Sequence, residues 1–375
     1  MVSLVCANCS SHLLSELVLV CRANTCRSQF RTRQNFRFLS AGYSRRAFSA
    51  TCSYRKQSAY CIGLPKAAAM AQQDPKKKEL EETRMKRLAE TCLELVNVGH
   101  EGPSVTIPIL GLGVYLMPPD AAFKAVSYAL QQGYRHIDTA HLYQNEQAVG
   151  RAIRASKIPR EEIFITTKLW NSDHGYASTL RACEQSLKEL GVEYVDLYLV
   201  HSPLSPPQKR LDTWRAMEKI LKSGKARSIG VSNYGVHHLK EIFSNCEIHP
   251  SINQVELHPF NMRKELVDFC RKENIVVEAY SPLTRGERLN EPALVKFFEN
   301  HNFNQIAEKH GKSTAQILIR WCLQKNVVTI PKSVKPTRIL ENSQVFDFEL
   351  SASEIAKLDS LDEGFVVAWD PTKSQ

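Results

Sequence analysis

No stretch of the chain is apolar for long enough to cross a membrane. The longest such run, Leu13–Cys21, is broken by Glu16, whereas a spanning helix needs about 20 apolar residues. Glycine and proline, 16 and 17 in 375 residues, are too few for a collagen-like or low-complexity chain. Several chemical signatures are also missing. Gly111-Leu112-Gly113 has no third glycine, so the phosphate turn of a doubly wound dinucleotide fold is absent. None of the twelve tyrosines has a lysine four positions on, which removes the Tyr-x-x-x-Lys short-chain dehydrogenases. Gly230-Val-Ser232-Asn-Tyr-Gly235 is one residue too long for the nucleophile elbow of a serine hydrolase. Cys6 and Cys9 have zinc-knuckle spacing but no second Cys/His pair follows, and no His-Glu-x-x-His occurs, so no metal is implied.

Acidic residues are nearly absent from one region. Residues 1–70 carry eight arginines, Lys56 and Lys66 against the single acid Glu16. They account for most of the formal net charge of +10, and the remaining chain is close to neutral. A near-neutral folded region carries no overall basic bias, so nucleic acid is not an expected partner. The Arg- and Ser-rich, acid-poor composition of residues 1–70 is that of a mitochondrial or plastid transit peptide, or of a disordered tail. Arg46-Ala47-Phe48-Ser49 resembles the Arg-x-Phe-Ser context of mitochondrial processing sites. The expected location is mitochondrial; the alternative is a cytoplasmic protein whose translation starts at Met70. Six of the eleven cysteines fall in the same 70 residues, without the regular spacing of a disulfide framework. Residues 71–91, dense in both charge signs at helical spacing, read as a charged helical linker.

From residue 92 to 375 a regular alternation begins. Strands are expected around Ile109–Tyr115, Tyr134–Asp138, Ile163–Lys168, Val195–His201, Ser228–Ser232, Ile252–Glu256, Val276–Tyr280 and Val327–Lys332. Amphipathic windows such as Asp120–Gln132, Glu146–Ser156, Tyr176–Leu190, Leu211–Ser223 and Arg263–Glu273 lie between them. Eight strand–helix units predict a (β/α)8 TIM barrel, an α/β fold, with Leu93–Ile107 as an N-terminal β-hairpin plug at its bottom. Barrels place their chemistry at the C-terminal strand ends. Here those ends read Asp138, Lys168, His201, Ser232-Asn233, Gln254, Tyr280 and Lys332. Singly, each has a bland explanation as a cap or a satisfied core residue; in phase, they converge on one rim.

These residues also carry a resemblance. Gly133-Tyr-Arg-His-Ile-Asp138-Thr-Ala-x-x-Tyr143-x-Asn-Glu146-x-x-Val-Gly150 resembles the aldo-keto reductase signature. Thr167-Lys168-Leu-Trp170, Gly230-Val-Ser-Asn233 and Ile330-Pro-Lys-Ser-Val-Lys335 running to Arg338 and Glu341-Asn342 match in order and spacing. The resemblance, over about Leu93 to Thr372, implies an NADP-dependent oxidoreductase of the alcohol dehydrogenase/aldose reductase type. It implies a catalytic tetrad of Asp138, Tyr143, Lys168 and His201, with Tyr143 as general acid. Lys168 is expected to lower the pKa of that phenol, Asp138 to hold Lys168, and His201 to orient the substrate oxygen. For the cofactor it implies Gly113 among the contacts, Ser232, Asn233, Gln254 and Tyr280 at the nicotinamide, and Ser281 and Leu283 on the pyrophosphate. Lys332, Ser333 and Arg338 fall on a 2′-phosphate, and Glu341 and Asn342 on the adenine. The cationic pair favours NADPH/NADP+ over NADH.

Tyr115, Trp170 and His201 are the expected substrate contacts. Tyr115 and Ser202 stand where many animal members carry tryptophan, and Thr284–Arg288 is closer to microbial and fungal-type members, so a more open, less aromatic pocket is expected. The partner is a small-molecule carbonyl, with no nucleic acid and no membrane, and the chain is expected to be a monomer or weak dimer. The alternative within the same fold is a catalytically weak, NADPH-binding regulatory or structural protein.

Overall fold

The computed structural model describes residues 75–284 and 301–375. The expectations placed on residues 1–70, and on the loop beyond Thr284, lie outside the described residues. Ten strands are present among the described residues: β1 Cys92–Leu95, β2 Val105–Pro108, β3 Leu112–Gly113, β4 His136–Asp138, β5 Phe164–Leu169, β6 Val195–Val200, β7 Ala226–Ser232, β8 Ile252–Glu256, β9 Val276–Tyr280 and β10 Val328–Thr329. The helices are α1 Pro75–Glu90, α2 Pro119–Gln131, α3 Glu146–Ser156, α4 Tyr176–Leu190, α5 Pro207–Lys222, α6 Val236–Asn245, α7 Lys264–Lys272, α8 His301–His310, α9 Thr314–Gln324, α10 Pro336–Ser343 and α11 Ala352–Asp359.

Strands β3 to β10 pair in sequence order, each parallel to its neighbour. A parallel bridge between Leu110 and Thr329 joins the first to the last. The Gly111 amide donates to the Thr329 carbonyl at 2.9 Å and the Thr329 amide to the Ile109 carbonyl at 2.9 Å. The ring is therefore closed and has no edge, as a (β/α)8 barrel requires. Gly113 lies at this seam. A Cβ there would sit 2.9 Å from the Ile330 carbonyl oxygen, so its missing side chain permits β3 to approach the segment after β10. Gly150 does the same for helix packing, since a Cβ would fall 1.9 Å from the Leu190 carbonyl oxygen at the end of α4.

The hairpin β1–β2 pairs Cys92–Leu95 antiparallel to Val105–Pro108. Its Leu95, Val105 and Ile107 are buried with Phe164, Leu197, Leu199, Ile252 and Val328 from inside the barrel. Each of these large apolar side chains contributes about 1.5–3 kcal/mol on burial, so the plug is a core in its own right. Helix α1 forms where the charge spacing predicts a helix, but it is docked as well as solvated. Leu88 is fully buried, Arg84 donates to the Gln132 carbonyl (3.2 Å) and the Ser343 hydroxyl (2.6 Å), and Arg87 donates to the Phe346 carbonyl (2.7 Å). Charge patterning reports the solvated face of a helix and is silent on one buried leucine.

Candidate active site

Alternation along the strands decides what faces the barrel axis. Along β5, Phe164 packs with the plug, while Thr166 and Lys168 follow at two-residue intervals. Along β8 the series is Ile252, Gln254, Glu256; along β9 it is Val276, Glu278, Tyr280. Each series becomes polar toward its C-terminal end, and there the expected residues meet.

Asp138 ends β4, and Tyr143 ends the 3₁₀ turn His141–Tyr143 that follows it. Lys168 lies near the end of β5, and His201 directly follows β6. The Lys168 ammonium donates to both Asp138 carboxylate oxygens at 2.7 Å, to the Thr139 carbonyl at 2.9 Å and to the Tyr143 hydroxyl at 3.4 Å. Asp138 and Lys168 are buried. The Tyr143 ring meets the His201 ring edge-on at 5.7 Å. His201 is also buried, and its Nδ1 has no hydrogen-bond partner among the described residues.

The electrostatics follow from burial and from Lys168. Burial pushes Asp138 above the ordinary aspartate value, against the opposing pull of Lys168 and Gln254. Burial, then Lys168 and His174, hold the His201 imidazole well below its ordinary value, so it is neutral at neutral pH. Tyr143 corrects the expectation of a depressed phenol. Burial pushes it well above its ordinary value and the Asp138 carboxylate adds to the rise. The geometry agrees: the ammonium stands 2.7 Å from both Asp138 oxygens and 3.4 Å from the phenol oxygen. Tyr143 is thus a protonated donor throughout the neutral range.

Beside this centre lies a second polar cluster. The Gln254 amide nitrogen donates to Asp138 Oδ2 at 2.8 Å and to Glu278 Oε2 at 2.9 Å, leaving its oxygen as the group that can meet a carboxamide N–H. The Asn233 amide donates to the His201 carbonyl (3.0 Å) and Ser232 Oγ (3.1 Å), while its oxygen accepts from the Tyr280 hydroxyl at 2.8 Å. Ser232 Oγ donates to the Gln254 carbonyl at 2.8 Å. Asn233 and Ser281 are left-handed, with φ of 64° and 50°, an unfavourable conformation that clusters at functional turns. Ser281 and Leu283 sit in the turn after β9. Lys332, Ser333 and Arg338 leave β10 and enter α10, with Ser333 buried and accepting from the Lys335 amide at 3.1 Å. Glu341 and the buried Asn342 lie on α10. The structure gives Gly113 its packing role at the seam.

Tyr115 stands 4.9 Å from the Tyr143 ring, and Trp170 packs edge-on against His201 at 5.1 Å. Trp369 was not expected here. It comes from the C-terminal segment and lies 6.3 Å from Trp170, adding a second indole beside that ring. Glu256 ties that segment down, accepting from the Val367 amide at 2.7 Å and the Ala368 amide at 2.8 Å. Arg263 pairs with Asp370 at 2.9 Å. No local sequence signal places residue 369 beside residue 170. Glu278 did leave a signal: it is the one charged residue in the otherwise uncharged strand Val-Val-Glu-Ala-Tyr.

Comparison with known proteins decides the family. The Aldo/keto reductase family model matches residues 110–363. The chain belongs to the aldo-keto reductases. Among its relatives is the 9,11-endoperoxide prostaglandin H2 reductase of Trypanosoma cruzi (strain CL Brener). It is 49% identical over 269 residues, which are 72% of this chain and 92% of that one. The glyoxal reductase of Bacillus subtilis (strain 168) is 49% identical over 273 residues, 72% and 94% of the two chains. Among solved structures, a Bombyx mori aldo-keto reductase in complex with NADP superposes with a TM-score of 0.67 at 36% identity, covering 74% of this chain and 94% of that one. This aldo-keto reductase thus shares with microbial relatives the region that forms the barrel.

Proposed function

We propose that the protein reduces aldehydes and ketones to alcohols with NADPH, with Tyr143 as the general acid. Membership of the family supports NAD(P)H-dependent carbonyl reduction, and relatives solved with NADP and NADPH bound support that cofactor. The observation that carries the finer reading is the Lys168 ammonium bridging Asp138 and the Tyr143 hydroxyl beside a neutral His201.

The residues present fit the cofactor. Its nicotinamide supplies a hydride when bound. Gln254, Asn233 and Ser232 form a polar wall at strand ends, and Tyr280 offers a ring face anchored through its hydroxyl. Lys332 and Arg338 fall where a 2′-phosphate needs cations, and Ser333 adds a hydroxyl. In the reduction, Tyr143 holds its proton until charge develops on the substrate oxygen, then donates it. His201 orients that oxygen with an N–H, as an uncharged donor that does not compete for the proton. Asp138 keeps the ammonium in place. Tyr115, Trp170 and Trp369 present an apolar face to the substrate. The chemistry is complete in one chain, which fits a monomer or weak dimer. The composition of residues 1–70 supports mitochondrial import, with a cytoplasmic form if translation starts at Met70.

The test is spectrophotometric loss of NADPH with 4-nitrobenzaldehyde, with NADH as control. Turnover with NADPH preferred supports the reading. NADPH binding without turnover of any aldehyde contradicts it and favours a non-catalytic, cofactor-binding role. Lys332→Ala should weaken NADPH by roughly tenfold or more while leaving NADH nearly unchanged; equal weakening of both would remove the 2′-phosphate assignment.

A further inference from the structure

Below the Asp138–Lys168 pair, the barrel encloses a carboxyl group that the mechanism above does not use. Glu278 is fully buried on β9. Its Oε2 accepts from the same Gln254 amide nitrogen that donates to Asp138. Its Oε1 has no hydrogen-bond partner among the described residues, and the nearest candidate is His136 Nε2 at 3.6 Å. The tautomer of His136 is set by its other nitrogen. Nδ1 lies 3.3 Å from the Pro108 carbonyl, which can only accept, so Nδ1 carries the hydrogen and Nε2 presents a lone pair. That lone pair faces the Thr166 hydroxyl at 3.2 Å and Glu278 Oε1. A carboxylate oxygen facing a lone pair is repelled, whereas a neutral carboxyl group is not. The surroundings of Glu278 therefore select its protonated form.

The other neighbours agree. From β4 the titratable groups are His136 and Asp138, from β5 Lys168, and beyond them Tyr143. β8 and β10 contribute the uncharged Gln254 and Val328, each paired in register with Glu278. One ammonium is already matched by one carboxylate at two 2.7 Å contacts. A second buried negative charge has no cation of its own.

We propose that Glu278 is a positioning residue of the reaction centre: a neutral carboxylic acid that fixes Gln254 against Asp138 and whose loss of a proton weakens Tyr143 as a donor. The inference rests on the proposed reductase reading. Burial, with Asp138 next, raises the Glu278 carboxyl to about 8, and a Glu278 charge in turn raises Tyr143. In reduction, the active form is thus the one with Glu278 protonated. Glu278 gives no proton to the substrate; it sets how readily Tyr143 gives its own.

The experiment compares wild type with Glu278→Gln, whose amide keeps the shape of the side chain and cannot ionise. The readout is the pH dependence of kcat in each protein, taken relative to its own value at about pH 6.5. As pH rises through about 8, wild-type kcat should fall several-fold, because a new negative charge in the same buried cluster disfavours the phenolate that Tyr143 leaves behind. The E278Q profile should stay level, with KM unchanged in both. Superimposed profiles, or an E278Q enzyme equally slowed at every pH, would overturn the proposal.

Thermal unfolding gives a readout independent of turnover. A carboxyl raised in the folded state takes up a proton on folding. The Tm advantage of E278Q over wild type should therefore grow from the ordinary glutamate range up to about pH 8 and then level. A pH-independent Tm difference would overturn the proposal even if no aldehyde is turned over, which separates its failure from that of the reductase reading. Should E278Q not fold, infrared spectroscopy of the wild type serves. A protonated-carboxyl band that disappears through the same pH range supports the proposal, and its absence at low pH overturns it.

Discussion

The two ends of the barrel interior are built from the same three strands and do opposite things. At the lower end Phe164, Ile252 and Val276 meet the hairpin residues Leu95, Val105 and Ile107 in an apolar cluster. Two residues further along, the same strands present Thr166, Gln254 and Glu278, and two further again Lys168, Glu256 and Tyr280. The lower half needs no specific partners, because apolar burial is non-directional. The upper half depends on most of its buried polar atoms being paired; the exceptions among the described residues include His201 Nδ1 and Glu278 Oε1, which face the reaction centre. Backbone strain divides similarly. Leu116, Gln144, Asn233, Arg263, Ser281 and Thr284 hold positive φ in loops at the upper rim, whereas Lys157, Asn274 and Asn326 do so at helix C-termini at the lower end.

Substitutions at the two ends should separate activity from stability. The largest effect is expected for Lys168→Met. It leaves Asp138 buried without its cation, which costs about 3–5 kcal/mol. It also removes the partner of Tyr143, lowering kcat by roughly a thousandfold; denaturant unfolding and steady-state kinetics measure the two losses. Ile107→Ala, in the plug, should cost about 2–5 kcal/mol by the lost burial and the cavity left behind. Its kcat and KM should match the wild type below the transition, and a loss of kcat would mean that the plug is coupled to the site.

A smaller effect is expected at Glu256, which holds the segment carrying Trp369. Burial alone would raise this carboxyl, but His258 and the Val367 and Ala368 amides outweigh it and hold it below the ordinary glutamate range. Its contribution is then present at neutral pH and disappears only as pH falls through that lowered value. Glu256→Gln should cost about 1–2 kcal/mol at neutral pH and raise KM for aromatic aldehydes. Its stability should converge on the wild type in acid; a gap that persists there would contradict the charge-based account.

How much of this was legible in the sequence depends on the range of the interaction. All eight barrel strands and the hairpin fall where the succession of short apolar runs and amphipathic windows puts them, because strands buried on both faces read as continuous apolar runs, which is a local pattern. The convergence of Asp138, Lys168 and His201 was readable from intervals of about one βα unit. The docked side of α1 was not, since a single buried Leu88 does not alter a helix's charge pattern. Trp369 was not, because its partner lies some two hundred residues earlier. Tyr143 shows a third kind of limit. The sequence names the lysine beside it, yet the sign of the effect depends on whether that ammonium faces the phenol or Asp138, and on how deeply all three are buried.

The most direct test of the account is Tyr143→Phe, assayed for NADPH-dependent reduction and, separately, for NADPH binding by fluorescence quenching. The account predicts a kcat lower by roughly a hundred- to ten-thousandfold with NADPH affinity and Tm nearly unchanged. A variant that still reduces aldehydes at close to the wild-type rate, or that loses NADPH binding along with activity, would contradict the role assigned to Tyr143.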